Sequence, residues 1–208
     1  CSGERSRCAS SRGCPAGALA VVTGAADGIG LAMSRRLVGL GMTVAMLDNR
    51  SEALASAATA LEGAGARILS RQVDIADRSA VETCASALVE AFGAPSLLMN
   101  NAAIARGGDV LADPADWERL ISVNLMGVLN GVSAFLPAMI DAGKPGLVIN
   151  TGSKQGITQP PGNTAYNVSK AAVKSLTEGL AHTLREKSGR NSQGGLFIGA
   201  LVQHDVDR

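Results

Sequence analysis

Short runs of continuous apolar residues recur along this chain at 18–23, 42–47, 67–73, 96–100, 146–151 and, less cleanly, 195–202. Between them lie segments with apolar residues at helical spacing, at 28–40, 51–63, 78–92, 115–141 and 164–187. Ser51 is suited to cap the second of these, and Gly93-Ala94-Pro95 stops the third. Uninterrupted apolar strands are buried on both faces, as in a parallel sheet covered by helices on two sides. Repeated strand–helix–strand units with right-handed crossovers then predict an α/β fold with a doubly wound parallel sheet. No internal linker divides it, so residues 18–202 read as one domain. The Arg/Ser-rich stretch 1–17 reads as a disordered or artefactual tail, with an organelle transit segment as the alternative, and 203–208 reads as a second tail.

Composition narrows the function classes. The chain has 208 residues, 46% hydrophobic and only 2% aromatic, so its core is built from Ala, Val, Leu and Ile. The net charge of +1, with no basic run and few aromatic platforms, gives nucleic-acid binding no support. The apolar runs are strand-sized, too short to cross a bilayer, so no membrane association is expected. Cysteines at 1, 8, 14 and 84 form no C-x-x-C pair, which argues against a disulfide framework and a metal site and for a cytoplasmic setting.

Directly after the first run comes 23-TGAADGIG-30. Glycines at 24, 28 and 30 let the backbone turn tightly, approach a pyrophosphate without Cβ atoms, and open a helix whose N-terminus favours anions. The spacing is G-x-x-x-G-x-G, and a purely structural tight turn is the alternative reading. The second run ends at Asp48, where a carboxylate can accept hydrogen bonds from adenosine ribose hydroxyls and repel a 2′-phosphate. NAD is therefore expected over NADP, although Arg50 nearby could hold a 2′-phosphate and a solvated loop aspartate is the plain alternative.

The only tyrosine, Tyr166, stands four residues before Lys170 in 163-NTAYNVSK-170. On a helix these positions share a face. A tyrosine with a pKa of about 10 exchanges protons poorly at neutral pH. Lowering it by about 3 units needs roughly 4 kcal/mol, the order that one positive charge at about 4 Å supplies at an effective dielectric near 20. Ser153, near the end of the fifth run, can hydrogen-bond a substrate carbonyl or alkoxide. A nucleophilic role for it is disfavoured, because Gln155 stands where the G-x-S-x-G elbow needs glycine. His182 and His204 read as surface or packing residues. Asn124, inside the long helix segment, reads equally as a core polar contact or as the holder of a water linking Lys170 to solvent.

Together these residues resemble the short-chain dehydrogenase/reductase family. Its T-G-x-x-x-G-x-G turn matches Thr23 to Gly30, its N-N-A-G appears as 100-NNAA-103, and its Asn, Ser and Y-x-x-x-K match Asn124, Ser153, Tyr166 and Lys170. Its acidic residue after the third strand matches Asp74. The resemblance implies a Rossmann-type fold and hydride transfer between a nicotinamide and a carbonyl or alcohol carbon of a small molecule. It implies Tyr166 as acid/base, Lys170 as its electrostatic partner and ribose holder, Ser153 as substrate orienter and Asn124 as relay support. The cofactor-binding set it implies is Thr23, Gly24, Asp27, Gly28, Ile29, Gly30, Asp48, Asp74, Asn101, Tyr166 and Lys170. Homodimers or homotetramers through the helices at 115–141 and 164–187 are a further expectation. After 196-LFI-198 the family's Pro-Gly and nicotinamide-contacting Thr do not follow, so a final strand and substrate lid are expected to be missing. A truncated, non-catalytic nucleotide-binding member is the alternative.

Overall fold

A computed structural model describes residues 17–62, 67–188 and 196–203. Six strands form one parallel sheet in the order β3-β2-β1-β4-β5-β6. They are β1 (Leu19–Thr23), β2 (Thr43–Asp48), β3 (Ile68–Gln72), β4 (Leu97–Asn100), β5 (Gly146–Ser153) and β6 (Leu196–Gln203). The helices are α1 (Gly28–Gly39), α2 (Ser51–Glu62), α3 (Arg78–Phe92), α4 (Pro114–Ile121), α5 (Gly127–Asp141), α6 (Gln155–Thr158) and α7 (Thr164–Ser188). Every residue of β1, β2 and β4 is buried, as uninterrupted apolar runs require, while β3 at the sheet edge is only partly covered. The tails expected at 1–17 and 204–208 lie outside the described residues except Gly17. Gln203, placed in the second tail, instead ends β6.

Alternation along each strand divides the core. Leu19, Val21, Ala45, Leu47, Leu98 and Val148 point to one face, where Leu88 of α3, Phe135 of α5 and Leu184 of α7 close over them. Ala20, Val22, Val44, Met46 and Met99 point to the other, against Leu37 of α1 and Leu54 of α2. Each large side chain fully buried this way contributes roughly 1.5–3 kcal/mol. The strand order reverses between β1 and β4, the position at which open α/β sheets bind ligands outside the carboxyl ends of their strands.

The segment expected as one regular helix at 115–141 begins with Pro114 at its first turn and is interrupted. A π-turn, Ser122–Met126, separates α4 from α5. Gly127 just beyond it packs so closely on Ile75 that a Cβ would lie 2.8 Å from Ile75 Cγ1, and Asn130 Nδ2 donates to the Ile75 carbonyl at 2.9 Å. Not every apolar stretch is too short to cross a bilayer. The continuous helical stretch Pro114–Asp141 is 28 residues long and apolar enough to cross a membrane by length and composition. Half of its apolar window is buried within the protein, with Val132, Phe135, Leu136 and Met139 in the same core cluster as α3. Core helices share that signature. The connection from β5 to α7 contains the short helix α6.

Candidate active site

The glycine turn sits at the reversal point of the sheet. Gly24 adopts φ +63°, and a Cβ there would lie 2.7 Å from the Ala102 Cα, so the loops after β1 and β4 touch backbone to backbone. Gly30 is equally closed, with its would-be Cβ 2.7 Å from Asn101 Nδ2. Gly28, at φ +52°, faces open space, with nothing within 4 Å of a Cβ. Asp27 caps α1 by accepting from the Gly28 N–H at 2.7 Å, and Ile29 lies half-buried in the first turn. The first N–H groups of a helix have no intrahelical acceptors and carry its positive dipole end. A tight, Cβ-free approach onto such a helix start suits a pyrophosphate.

Thr23 and Asn101, expected among the cofactor-binding residues, make their hydrogen bonds within the protein. Thr23 Oγ1 accepts from the N–H of Asn101 at 2.9 Å and of Ala102 at 3.1 Å. Asn101 Nδ2 donates to the carbonyls of Thr23 (3.1 Å) and Gly24 (3.3 Å), and its Oδ1 accepts from Thr151 Oγ1 at 3.3 Å. The ends of β1, β4 and β5 are thereby tied into one floor. A second buried chain runs from Asn100 Nδ2 to Asn150 Oδ1 (2.9 Å), and from Asn150 Nδ2 to Thr177 Oγ1 on α7 (3.0 Å).

Asp48 ends β2, buried, in contact with that floor. Its Oδ2 accepts from the Ala26 N–H at 3.1 Å, inside the glycine turn, and its Oδ1 from the Arg50 N–H at 3.0 Å and Nε at 3.1 Å. Burial raises its pKa, but the Arg50 guanidinium and the two backbone N–H groups outweigh that and hold the carboxyl below its ordinary value. Arg50, more than half exposed, thus lies across the acidic group rather than apart from it. Asp74, expected near the adenine, is exposed just after β3 and accepts from the Ala76 N–H at 2.9 Å.

On the reacting side, Ser153 closes β5, buried, its Oγ accepting from the Gln155 N–H at 3.2 Å. Tyr166 is half-buried on the first turn of α7. Lys170, one turn on, is only 3% exposed, with Nζ 5.6 Å from the tyrosine ring centroid. The same ammonium donates to the Thr151 carbonyl at 2.9 Å, and burial lowers its pKa to about 8. Tyrosine and lysine therefore share a face, as their spacing demands. Thr151 as the lysine's anchor left no mark in the sequence, because it depends on how α7 docks on β5.

Asn124 occupies the centre of the π-turn, 1% exposed. Its Oδ1 accepts from the Ile104 N–H (2.8 Å), while Nδ2 donates to the Ile104 carbonyl (2.9 Å) and to Ser169 Oγ (3.1 Å). Ser169 Oγ in turn donates to the Tyr166 carbonyl at 2.8 Å. Of the two readings open for its side chain, the core polar contact is the one these bonds describe: it fastens the loop after β4 to α7. A single π-turn inside an α-helix often marks a functional position.

A cavity of about 430 Å³ is lined by Ser153, Lys170 and residues of α7 as far as Arg185. Neither Tyr166 nor the glycine turn lines it. His182 is exposed near Arg185, as expected of a surface residue, and His204 lies outside the described residues. Among the described residues no group of three or more His, Cys, Asp or Glu could hold a metal ion.

Comparison with known proteins places this arrangement. The family model for short chain dehydrogenases matches residues 18–189. Over 169 residues the chain is 40% identical to galactitol 2-dehydrogenase from Rhizobium johnstonii, covering 79% of this chain. It is 35% identical over 168 residues to 3beta-hydroxysteroid dehydrogenase 2 from Eggerthella lenta, covering 80% of this chain. The chain spans 65% of the length of each of these two relatives. The crystal structure of a short chain dehydrogenase/reductase from Burkholderia phymatum in complex with NAD superposes with a TM-score of 0.83 at 36% identity, covering 90% of this chain and 66% of that one. A metagenomic short-chain oxidoreductase in complex with NADP also reaches 0.83, at 32% identity, over 92% of this chain and 84% of that one. This chain belongs to the short-chain dehydrogenase/reductase family.

Proposed function

We propose that this chain is an oxidoreductase that moves a hydride between NAD(H) and the carbonyl or secondary-alcohol carbon of a small molecule, with Tyr166 exchanging the proton. The observation that carries it is the buried Lys170 ammonium, 5.6 Å from the Tyr166 ring, on the same sheet edge as a Cβ-free glycine turn. The cradle fits a dinucleotide: Gly24 and Gly30 close the floor, and Gly28 leaves open space above the start of α1. When bound, the nicotinamide supplies the hydride-carrying carbon.

The chain's own residues do the rest. Ser153 donates a hydrogen bond to the substrate oxygen and holds it beside the tyrosine. Tyr166 gives its hydroxyl proton to that oxygen in reduction and takes it back in oxidation. Lys170 favours the phenolate electrostatically. Asn124 and Ser169 hold the first turn of α7 against the loop after β4, so the hydroxyl keeps its place.

The preference for NAD rests on Asp48. Its carboxylate is held ionised beside the glycine turn, where a 2′-phosphate would meet like charge. Relatives solved with NAD and with NADP both occur, so this preference is the residue's own argument. Partly exposed Met126, Leu129 and Ile140 of the 114–141 helical stretch and Val168 of α7 offer an apolar face for a homodimer or homotetramer. The setting we infer remains cytoplasmic.

The test is fluorescence titration with NADH and NADPH, followed by NADH oxidation in the presence of ketones. Tight NADH binding with ketone-dependent oxidation is expected. Binding without oxidation would favour a non-catalytic nucleotide-binding role, and equal turnover with NADPH would remove the Asp48 argument.

A further inference from the structure

The loop that follows β4 is held at two points by side chains from distant elements. Asn124 grips Ile104 through both backbone groups. Asn163, immediately before α7, grips the next residues: its Nδ2 donates to the Ala105 carbonyl at 2.5 Å, and its Oδ1 accepts from the Gly107 N–H at 3.4 Å. The Asn163 carbonyl meanwhile accepts from the Asn167 N–H at 3.1 Å, so the residue also belongs to the first turn of α7. Ala165 adds a backbone bond from its N–H to the Gly108 carbonyl at 3.2 Å.

Space around the loop is as restricted as its hydrogen bonding. A Cβ on Gly107 would lie 2.8 Å from the Ala165 Cβ and would also collide with Leu120 of α4. Gly107 is buried between those helices, whereas Ala105 and Arg106 are exposed. Asn163 thus connects 104–108 to a point three residues ahead of Tyr166. The segment 154–162 runs from β5 to Asn163, and its Ile157 is 62% exposed. Through both atoms of its amide, Asn163 ties this loop to the residue immediately before α7.

We propose that Asn163 is a positioning residue that fixes the opening between the loop after β4 and the start of α7, and so sets the size of substrate admitted beside Tyr166. This rests on the oxidoreductase reading above. The amide suits the task because it offers one donor and one acceptor to two backbone groups of opposite kind. Aspartate keeps the acceptor for Gly107 and remains a good residue before a helix, but loses the donor to Ala105. Alanine loses both.

The test uses the full chain and a graded series of methyl ketones from acetone to acetophenone, with NADH as reductant. Asn163→Ala is expected to change the ratio of kcat/KM between the smallest and largest ketones by about tenfold, the worth of one to two net hydrogen bonds. Asn163→Asp should fall between it and the unmutated chain, and NADH affinity should stay within about twofold in both. A residue that merely stabilises the fold would lower melting temperature without moving that ratio. An unchanged ratio in both variants overturns the proposal, as does a ratio that moves only together with NADH affinity. If Asn163→Ala does not fold, Asn163→Asp decides alone. Absence of ketone turnover in the unmutated chain overturns the oxidoreductase reading and this role with it, whereas turnover with an unaltered ratio overturns this role only.

Discussion

Replacing Lys170 with Met removes a charge that the fold holds out of water and that the proposed chemistry needs. The ammonium is 3% exposed, bonded to the Thr151 carbonyl, and its pKa falls from 10.5 to about 8 through burial. Below pH 8 both folded and unfolded chains carry the proton, so the folded chain bears the whole desolvation cost, about 3 kcal/mol for a shift of that size. Between pH 8 and 10.5 the folded chain loses its proton while the unfolded chain keeps it, so stability from this group rises with pH across that window. Methionine removes the cost but leaves the Thr151 carbonyl without its donor, a loss of about 1–3 kcal/mol. Lys170→Met is therefore expected to be between equal in stability and about 2 kcal/mol more stable at pH 7. Its advantage should shrink by about 2 kcal/mol on moving to pH 9.5, while turnover is lost. Urea denaturation followed by circular dichroism at both pH values measures the difference, with other titrating groups cancelling between the two proteins. A difference that stays flat from pH 7 to 9.5, or a mutant several kcal/mol less stable at pH 7, would refute the burial argument.

Gly24→Ala should cost about 2–4 kcal/mol in urea denaturation, because it combines φ +63° with a Cβ 2.7 Å from backbone. Gly28→Ala, at φ +52° in open space, should cost only about 1 kcal/mol, and equal losses at the two would contradict the described turn. Asp48→Asn should shift the ratio of kcat/KM for NADPH over NADH upward by about tenfold or more, since it removes one charge beside the ribose position. The same variant should lose the extra acid stability that the lowered Asp48 carboxyl supplies, which is present above the ordinary carboxylate pKa and lost as pH falls through the folded value.

What the sequence disclosed follows from how local each signal is. Strands β1, β2 and β4 were readable because burial on two faces leaves continuous apolar runs, and β6 was placed within one residue of its observed span. The Tyr166–Lys170 pairing was legible because helix geometry alone brings those positions together. The π-turn at Ser122–Met126 was not, since nothing in the local pattern sets those residues apart from a regular helix. The bonds by which Thr23 and Asn101 tie β1 to β4 have no local signature, because their partners lie 76 or more residues apart in sequence. The roles of Asn163 and Thr151 leave no local pattern for the same reason: they exist only once α7 docks beside the ends of β4 and β5.

The most direct measurement is single-turnover NADH oxidation by the unmutated chain and by Tyr166→Phe, each first titrated with NADH. The phenylalanine variant keeps the ring beside Lys170 and loses only the hydroxyl, so NADH affinity within about threefold and a rate lower by about 10³-fold are expected. A variant that binds NADH normally and retains more than about a tenth of the rate would show that the proton travels by another group.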